Sequence, residues 1–221
     1  MIQWENIDTV LFDMDGTLLD LHFDNHFWEE FVPRRYAQKN NVSVDRAREH
    51  LLAEYRAIEG TMNWYCIDHW SEQLELDIPA LKRELDHLIQ IRPGAADFLE
   101  RLRGMGKQMA LVTNAHRKSL SLKMERTRLQ HYFDAIVCAH DYGYPKEENA
   151  FWQTLAQREK LDLSRCLLVD DSLRVLQQAA ASGVAQVVGI RKPDSQRPAQ
   201  DAAGFVSIDH WSELLTGEQT G

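Results

Sequence analysis

Cysteine is scarce: the 221 residues contain three, Cys66, Cys138 and Cys166. The count is odd and no pair has metal-ligand spacing, so a disulfide framework is not expected. Cys138 and Cys166 fall in strand-like apolar runs, which suits buried, reduced thiols in a cytoplasmic protein. Positive charge is also in short supply. Lys and Arg number 25 against 34 Asp and Glu, a formal net charge of -9. A nucleic-acid polymer would be repelled overall, whereas a small phosphate ester needs only local cations or a metal. No apolar run approaches the roughly 20 residues that span a bilayer. Met1 to Asn6 lacks a basic stretch followed by an apolar one. Neither a membrane anchor nor a secretory leader is therefore expected. Repeats and low-complexity segments are missing too. What remains is 44% hydrophobic and 27% charged. That composition fits a globular protein with one core domain and an inserted subdomain.

The chain turns on the stretch Thr9 to Asp20. Its short apolar run reads as a strand buried on both faces. The run ends abruptly in Asp13 and Asp15, with Gly16 and Thr17 following. Burying such charge is costly unless a cation pairs with it. If the strand ends at Asp13, Asp15 lies in the turn and can approach the same point from another side. Gly16 permits a sharp turn or a close approach to a ligand.

From there to about Gln90 the pattern is helical. Helices are expected over Asn25 to Lys39, Ser43 to Ile58, Trp64 to Leu74, and Pro79 to Ile89. Arg92-Pro93-Gly94 breaks the pattern, and apolar strands then alternate with helices. Strands are expected at Gln108 to Thr113, Ala135 to Ala139, Cys166 to Val169 and Ala185 to Ile190, with a last one at Phe205 to Ile208. Helices are expected at Ala95 to Met105, Ser119 to Leu129, Glu148 to Lys160 and Arg174 to Ser182. This order predicts an α/β fold: a parallel sheet of βαβ units with helices on both faces. Ligands in such sheets sit beyond the carboxyl ends of the strands. Thr216 to Gly221 is polar and expected to be disordered.

Four strands bring polar groups to that edge: Asp13 and Asp15, then Thr113 and Asn114, then Lys146 in a loop, then Asp170 and Asp171. Taken singly they are weak signals. Lys146 alone would read as a surface lysine, Thr113-Asn114 as a helix cap, and Asp170-Asp171-Ser172 as the start of the next helix. Their order is what is specific. Together the motifs resemble the four signatures of the haloacid dehalogenase-like (HAD) hydrolases, across nearly the whole core.

The resemblance implies a Rossmann-like core over 1–20 and 92–221, with an α-helical cap inserted at 21–91. It implies Asp13 as a nucleophile that becomes an aspartyl-phosphate, and Asp15 as general acid and then base. Mg²⁺ would sit on the Asp13 side chain, the Asp15 backbone carbonyl and Asp170. Asp171 is either a further ligand or an orienter of Lys146. The chemistry of the residues points the same way. Oxygen-only ligands favour a hard ion such as Mg²⁺. Lys146 is a compact cation suited to phosphoryl charge, and the Thr113 hydroxyl with nearby backbone N–H groups can hold phosphate oxygens. Asp15 argues against dehalogenation, which needs no acid for a halide.

The expected cap is rich in aromatics, namely Phe27, Trp28, Phe31, Tyr55, Trp64, Tyr65 and Trp70. At least half are expected to pack its own core, leaving one or two free to stack on a flat base. His22, His26 and Asn63 are candidates for polar recognition. Within the superfamily, Asn63-Trp64-Tyr65-Cys66, Thr113-Asn114-Ala115-His116 and Gly143-Tyr144-Pro145-Lys146-Glu147 resemble the bacterial purine 5′-nucleotidases that act on GMP and IMP. Many HAD phosphatases place proline after the motif lysine, whereas this chain has Lys146-Glu147. The expected partner is then a purine nucleoside monophosphate, a preference that rests on the resemblance alone. A sugar-phosphate phosphatase, a phosphoglucomutase-like enzyme and a catalytically silent binding module are the alternatives.

Overall fold

In a computed structural model the described residues are 2–215, so the Thr216 to Gly221 tail lies outside them. Six strands form one parallel sheet: β1 (Thr9–Phe12), β2 (Gln108–Thr113), β3 (Ala135–Cys138), β4 (Cys166–Asp170), β5 (Gln186–Ile190) and β6 (Ser207–Ile208). Their spatial order is β3-β2-β1-β4-β5-β6. The winding direction reverses between β1 and β4, which opens a crevice at their carboxyl ends. Strand periodicity divides the core. Val10 and Phe12 face one cluster, with Phe98, Leu99 and Leu102; Leu11 faces the other, with Trp152, Leu155 and Leu176. Helices α7 (Ala95–Gly104) and α8 (Arg117–Thr127) cover the first face. Helices α9 (Asn149–Glu159) and α10 (Leu173–Ala181) cover the second. The α/β architecture expected from the sequence is thus the observed one.

Between β1 and α7 the chain is helical and surrounds a third cluster built on Phe27, Leu51, Tyr55, Ile67 and Trp70. It differs from expectation in three places. The first helix starts at His22 and contains a wide turn, so that α1 (His22–His26) and α2 (Val32–Asn40) flank a π segment at Phe27–Phe31. Pro33 explains the turn, because it has no N–H to offer the preceding turn. The Glu29 carbonyl accepts instead from Arg48 Nε at 3.3 Å. Helix α3 (Val44–Ile58) starts as expected, with Ser43 Oγ accepting from the Arg46 N–H.

The helix expected over Trp64 to Leu74 is two, α4 (Met62–Tyr65) and α5 (Ile67–Leu74). Cys66 between them is extended, with φ -86° and ψ 105°, and its Sγ accepts from the His69 N–H. The Trp64 carbonyl freed by the break accepts from the Trp70 indole at 2.9 Å. Helix α6 (Ile78–Glu84) stops short of the expected Ile89, and a single 3₁₀ turn at Asp86–Leu88 completes the connection.

Candidate active site

Asp13 follows β1, Thr113 ends β2, and Asp170 ends β4, so sheet register alone sets them side by side at the crevice. Lys146 arrives from the loop after β3 and is 2% exposed. Its Nζ donates to Asp13 Oδ1 at 2.5 Å, to Asp170 Oδ2 at 2.7 Å and to the Val112 carbonyl at 3.2 Å. Asn114 fixes the loop: its Oδ1 accepts from the Lys146 N–H at 2.9 Å, and its Nδ2 donates to Glu147 Oε2 at 2.9 Å. Thr113 Oγ1 accepts from the Ala115 N–H at 3.0 Å. The seven residues that the sequence brings to the sheet edge, Asp13, Asp15, Thr113, Asn114, Lys146, Asp170 and Asp171, line one cavity.

Carboxylate oxygens of Asp13, Asp170 and Asp171 lie within 4.8 Å of one another. One lysine faces three acids. Burial is the main cause that lifts the Asp13 carboxyl to about 6, with Asp170 adding repulsion against the pull of Lys146. Burial also raises Asp170. Asp171 is held well above the usual carboxylate range by burial and then by Asp13 and Asp170. Among the described residues no hydrogen bond reaches its carboxylate, and Lys146 does not touch it. A set of three oxygen donors carrying excess negative charge fits a hard divalent cation. Gly16 approaches so closely, at φ +83°, that a side chain there would collide with the Asp171 carboxylate.

Asp15 turns the other way. Its Oδ1 accepts from Lys123 Nζ at 2.6 Å, and the same Nζ reaches Asp24 Oδ2 at 2.6 Å. Lys82 Nζ binds the other Asp24 oxygen at 2.8 Å and stands 4.5 Å from the Phe27 ring centroid. Both lysines are at most 2% exposed. The result is a buried chain of alternating charge from the sheet edge into α1 and α6. Burial is the main cause that raises Asp15, to about 6, opposed by Lys123. For Asp24 burial also pushes up, but Lys123 and Lys82 together outweigh it and hold the carboxyl down at about 2.

Asp24, Lys82 and Lys123 escaped the sequence reading. One signal was available. Lys82 sits four residues after Ile78, and Lys123 three after Leu120, both on the buried stripes of their helices. A charge at such a position asks for a partner. Glu147 accepts from the Tyr65 hydroxyl at 2.5 Å, and so joins α4 to the lysine loop.

The cavity above these groups has a volume of about 620 Å³, within the range of small-molecule sites. Trp28, Tyr55, Trp64, Tyr65 and Trp70 contribute to its walls. Phe27, Tyr55 and Trp70 are buried in the helical cluster, whereas Trp28, Trp64 and Tyr65 are partly buried. The Tyr55 hydroxyl is buried without a hydrogen-bond partner among the described residues. His22, His26 and Asn63 do not line the cavity. His22 Nδ1 lies 3.6 Å from Asp194 instead.

No helix among the described residues is long and apolar enough to cross a membrane. The chain is 44% identical over 214 residues to the GMP/IMP nucleotidase YrfG of Escherichia coli (strain K12), covering 97% of this chain and 96% of that one. It is 22% identical over 218 residues to the phosphorylated carbohydrates phosphatase of Thermotoga maritima, covering 95% and 97%. Among solved structures it resembles a HAD phosphatase from Thermococcus onnurineus, with TM-score 0.79, 27% identity, and coverage of 97% and 100%. The haloacid dehalogenase-like hydrolase family profile matches residues 7–183. By fold, profile and full-length similarity alike, this chain belongs to the haloacid dehalogenase-like hydrolases.

Proposed function

We propose that the chain is a phosphatase that hydrolyses purine nucleoside 5′-monophosphates, IMP and GMP foremost, through an aspartyl-phosphate on Asp13. The observation that carries this reading is Lys146 Nζ bonded to both Asp13 and Asp170 at the sheet edge, beneath a cavity with aromatic walls. Phosphoryl transfer asks mainly for positioning and for positive charge near the equatorial oxygens. Lys146 supplies that charge, and Asn114 holds its backbone in place. Asp13 Oδ attacks phosphorus as the ester oxygen departs. Asp15 donates a proton to that oxygen, then accepts one from the water that opens the acyl phosphate. A carboxyl held at about 6 suits a group that must work in both directions near neutral pH.

Asp13, Asp170 and Asp171 would hold Mg²⁺, together with the Asp15 backbone carbonyl. The ion would supply positive charge to the bound phosphoryl group. Asp171 fits a ligand's part better than an orienter's, because it makes no bond to Lys146. The helical segment, 21–91, serves as a cap over the core, 1–20 and 92–221. Trp28 and Trp64, which line the cavity and are only partly buried, offer faces for a base to stack on. The purine preference leans on the similarity to the Escherichia coli nucleotidase.

Phosphate release measured over nucleoside monophosphates and sugar phosphates, with and without EDTA, tests the reading. IMP and GMP are expected to lead, and EDTA to abolish turnover. Faster release from sugar phosphates would overturn the purine assignment, and isomerised product with little phosphate would indicate a mutase. Asp13→Asn should lower turnover about a thousandfold or more while the chain stays folded. Near-normal activity in that variant would remove Asp13 from the chemistry.

A further inference from the structure

Three side chains from separate parts of the fold converge in a group distinct from the carboxylate cluster. Cys66 lies between α4 and α5, His116 precedes α8, and His140 lies in the turn after β3. One sulfur and two imidazole nitrogens, one atom from each residue, lie within 4.8 Å of one another. The two imidazoles meet edge to face, with centroids 4.9 Å apart. His140 Nε2 is buried and has no hydrogen-bond partner among the described residues. An imidazole with an orphaned buried nitrogen is suited to ligate a metal.

We propose that Cys66, His116 and His140 form a second metal site, for a divalent ion of the zinc class, that ties the helical segment to the sheet. Thiolate and imidazole favour such an ion over magnesium, and the all-oxygen Asp13 cluster has the opposite preference. Tetrahedral coordination, with bonds of about 2.0–2.3 Å, sets ligand atoms about 3.5 Å apart. The three atoms must therefore close by no more than about 1.3 Å, and all three side chains are only partly buried. Asp68 offers a fourth ligand: its Oδ2 lies 3.7 Å from His116 Nε2. Ligation through His116 Nε2 places the ring proton on Nδ1, and the long 3.3 Å contact from the Lys118 N–H is given up. Cys66 binding releases one proton, from thiol to thiolate. No local sequence spacing announces the site, because each ligand comes from a different element. The site does not depend on which ester the enzyme hydrolyses.

The test uses the full chain, reduced, stripped with EDTA, and supplied with excess Mg²⁺ to occupy the carboxylate cluster. Co²⁺ is the probe. One equivalent should give a near-ultraviolet thiolate-to-cobalt charge-transfer band, and Zn²⁺ should bleach it. Cys66→Ser keeps an oxygen to cap α5, so it should fold like the wild type yet lose the band. His140→Gln should weaken Co²⁺ binding at least tenfold. Zn²⁺ should also slow alkylation of Cys66 at least tenfold in the wild type and much less in His140→Gln, a readout that needs no Cys66 variant. Absence of the band in the wild type, its survival in Cys66→Ser, or equal Zn²⁺ affinity and equal protection in wild type and His140→Gln would overturn the proposal.

Discussion

At the scale of single residues, the site sets burial against charge, and Asp171 shows the contest most clearly. Folding raises its carboxyl above the unfolded value through burial and two neighbouring acids. The sign follows from proton linkage. The folded state binds the proton more tightly, so stability is greatest at acid pH and is lost as pH rises through the folded value. Asp171→Asn should therefore raise Tm at pH 7.5 without divalent ions, by about 2–4 °C for each kcal/mol relieved. The gain should shrink on acidification and reverse in saturating Mg²⁺, where the wild type has binding energy to add. Thermal scans across pH, with and without Mg²⁺, check this, and a lower metal-free Tm at pH 7.5 would contradict it. Lys123 poses the complementary case. Lys123→Met would leave Asp15 and Asp24 buried without their shared cation, a loss of roughly 3–5 kcal/mol for a broken buried pair. Since Lys123 pulls the Asp15 carboxyl down from where burial alone would put it, its removal should move the alkaline limb of the kcat/KM profile, set by Asp15 as proton donor, to higher pH. A profile unchanged in a folded variant would separate Lys123 from Asp15's chemistry. Asp13, Thr113 and Asp170 were legible in the sequence because each stands where an apolar run stops, and Lys146 only by its order among them. Lys82, Lys123 and Asp24 were not, because a charge inside an amphipathic helix has meaning only once its distant partner is known.

At the scale of elements, the strands and most helices followed from apolar periodicity, and the departures have local causes. Pro33 withholds an N–H and widens the first helix. Cys66 takes an extended conformation because its sulfur and the Trp70 indole satisfy the groups that an unbroken helix would have paired. Neither was visible to a window of residues, since both solutions use side chains several positions away. The break at Cys66 matters because it aims Tyr65 at Glu147 across the gap to the lysine loop. Tyr65→Phe removes one hydrogen bond to a charged acceptor, worth about 1.5–3 kcal/mol. Part of that bond serves the closed arrangement of α4 over the loop. The expected outcome is a rise in KM of about tenfold, with kcat changed much less. Steady-state kinetics on IMP with Mg²⁺ measure the split. An equal fall in kcat with KM unchanged would instead assign Tyr65 to the transition state.

At the scale of the whole molecule, two apolar clusters clamp the sheet and a third belongs to the helical segment alone. The segment meets the core through Phe23 and Ile89, which pack into the first cluster, and through polar bridges, Asp24 with Lys123, Asp68 with Lys118, and Tyr65 with Glu147. The bridges from α4 and α5, Asp68 with Lys118 and Tyr65 with Glu147, open at lower cost than a packed sheet, because an exposed ion pair contributes about 0–1 kcal/mol, whereas Asp24 with Lys123 is buried. Protection from hydrogen exchange should reflect that division. Amides of β1, β2 and β4 lie in the middle of the sheet and should exchange only through global unfolding. Amides of α4 and α5 should exchange through partial opening, and so respond to whatever holds the segment down. Mg²⁺ with inorganic phosphate, which would bind Asp13, Lys146 and Asp170 and so steady the loop whose Glu147 holds Tyr65, should slow exchange across α4, α5 and the 144–148 loop by about tenfold or more. The central strands should change only as far as global stability does. Hydrogen-exchange mass spectrometry resolves these regions. Uniform protection of strands and helices would mean that the helical segment opens only when the whole chain unfolds, and would remove the basis for reading it as a moving cap.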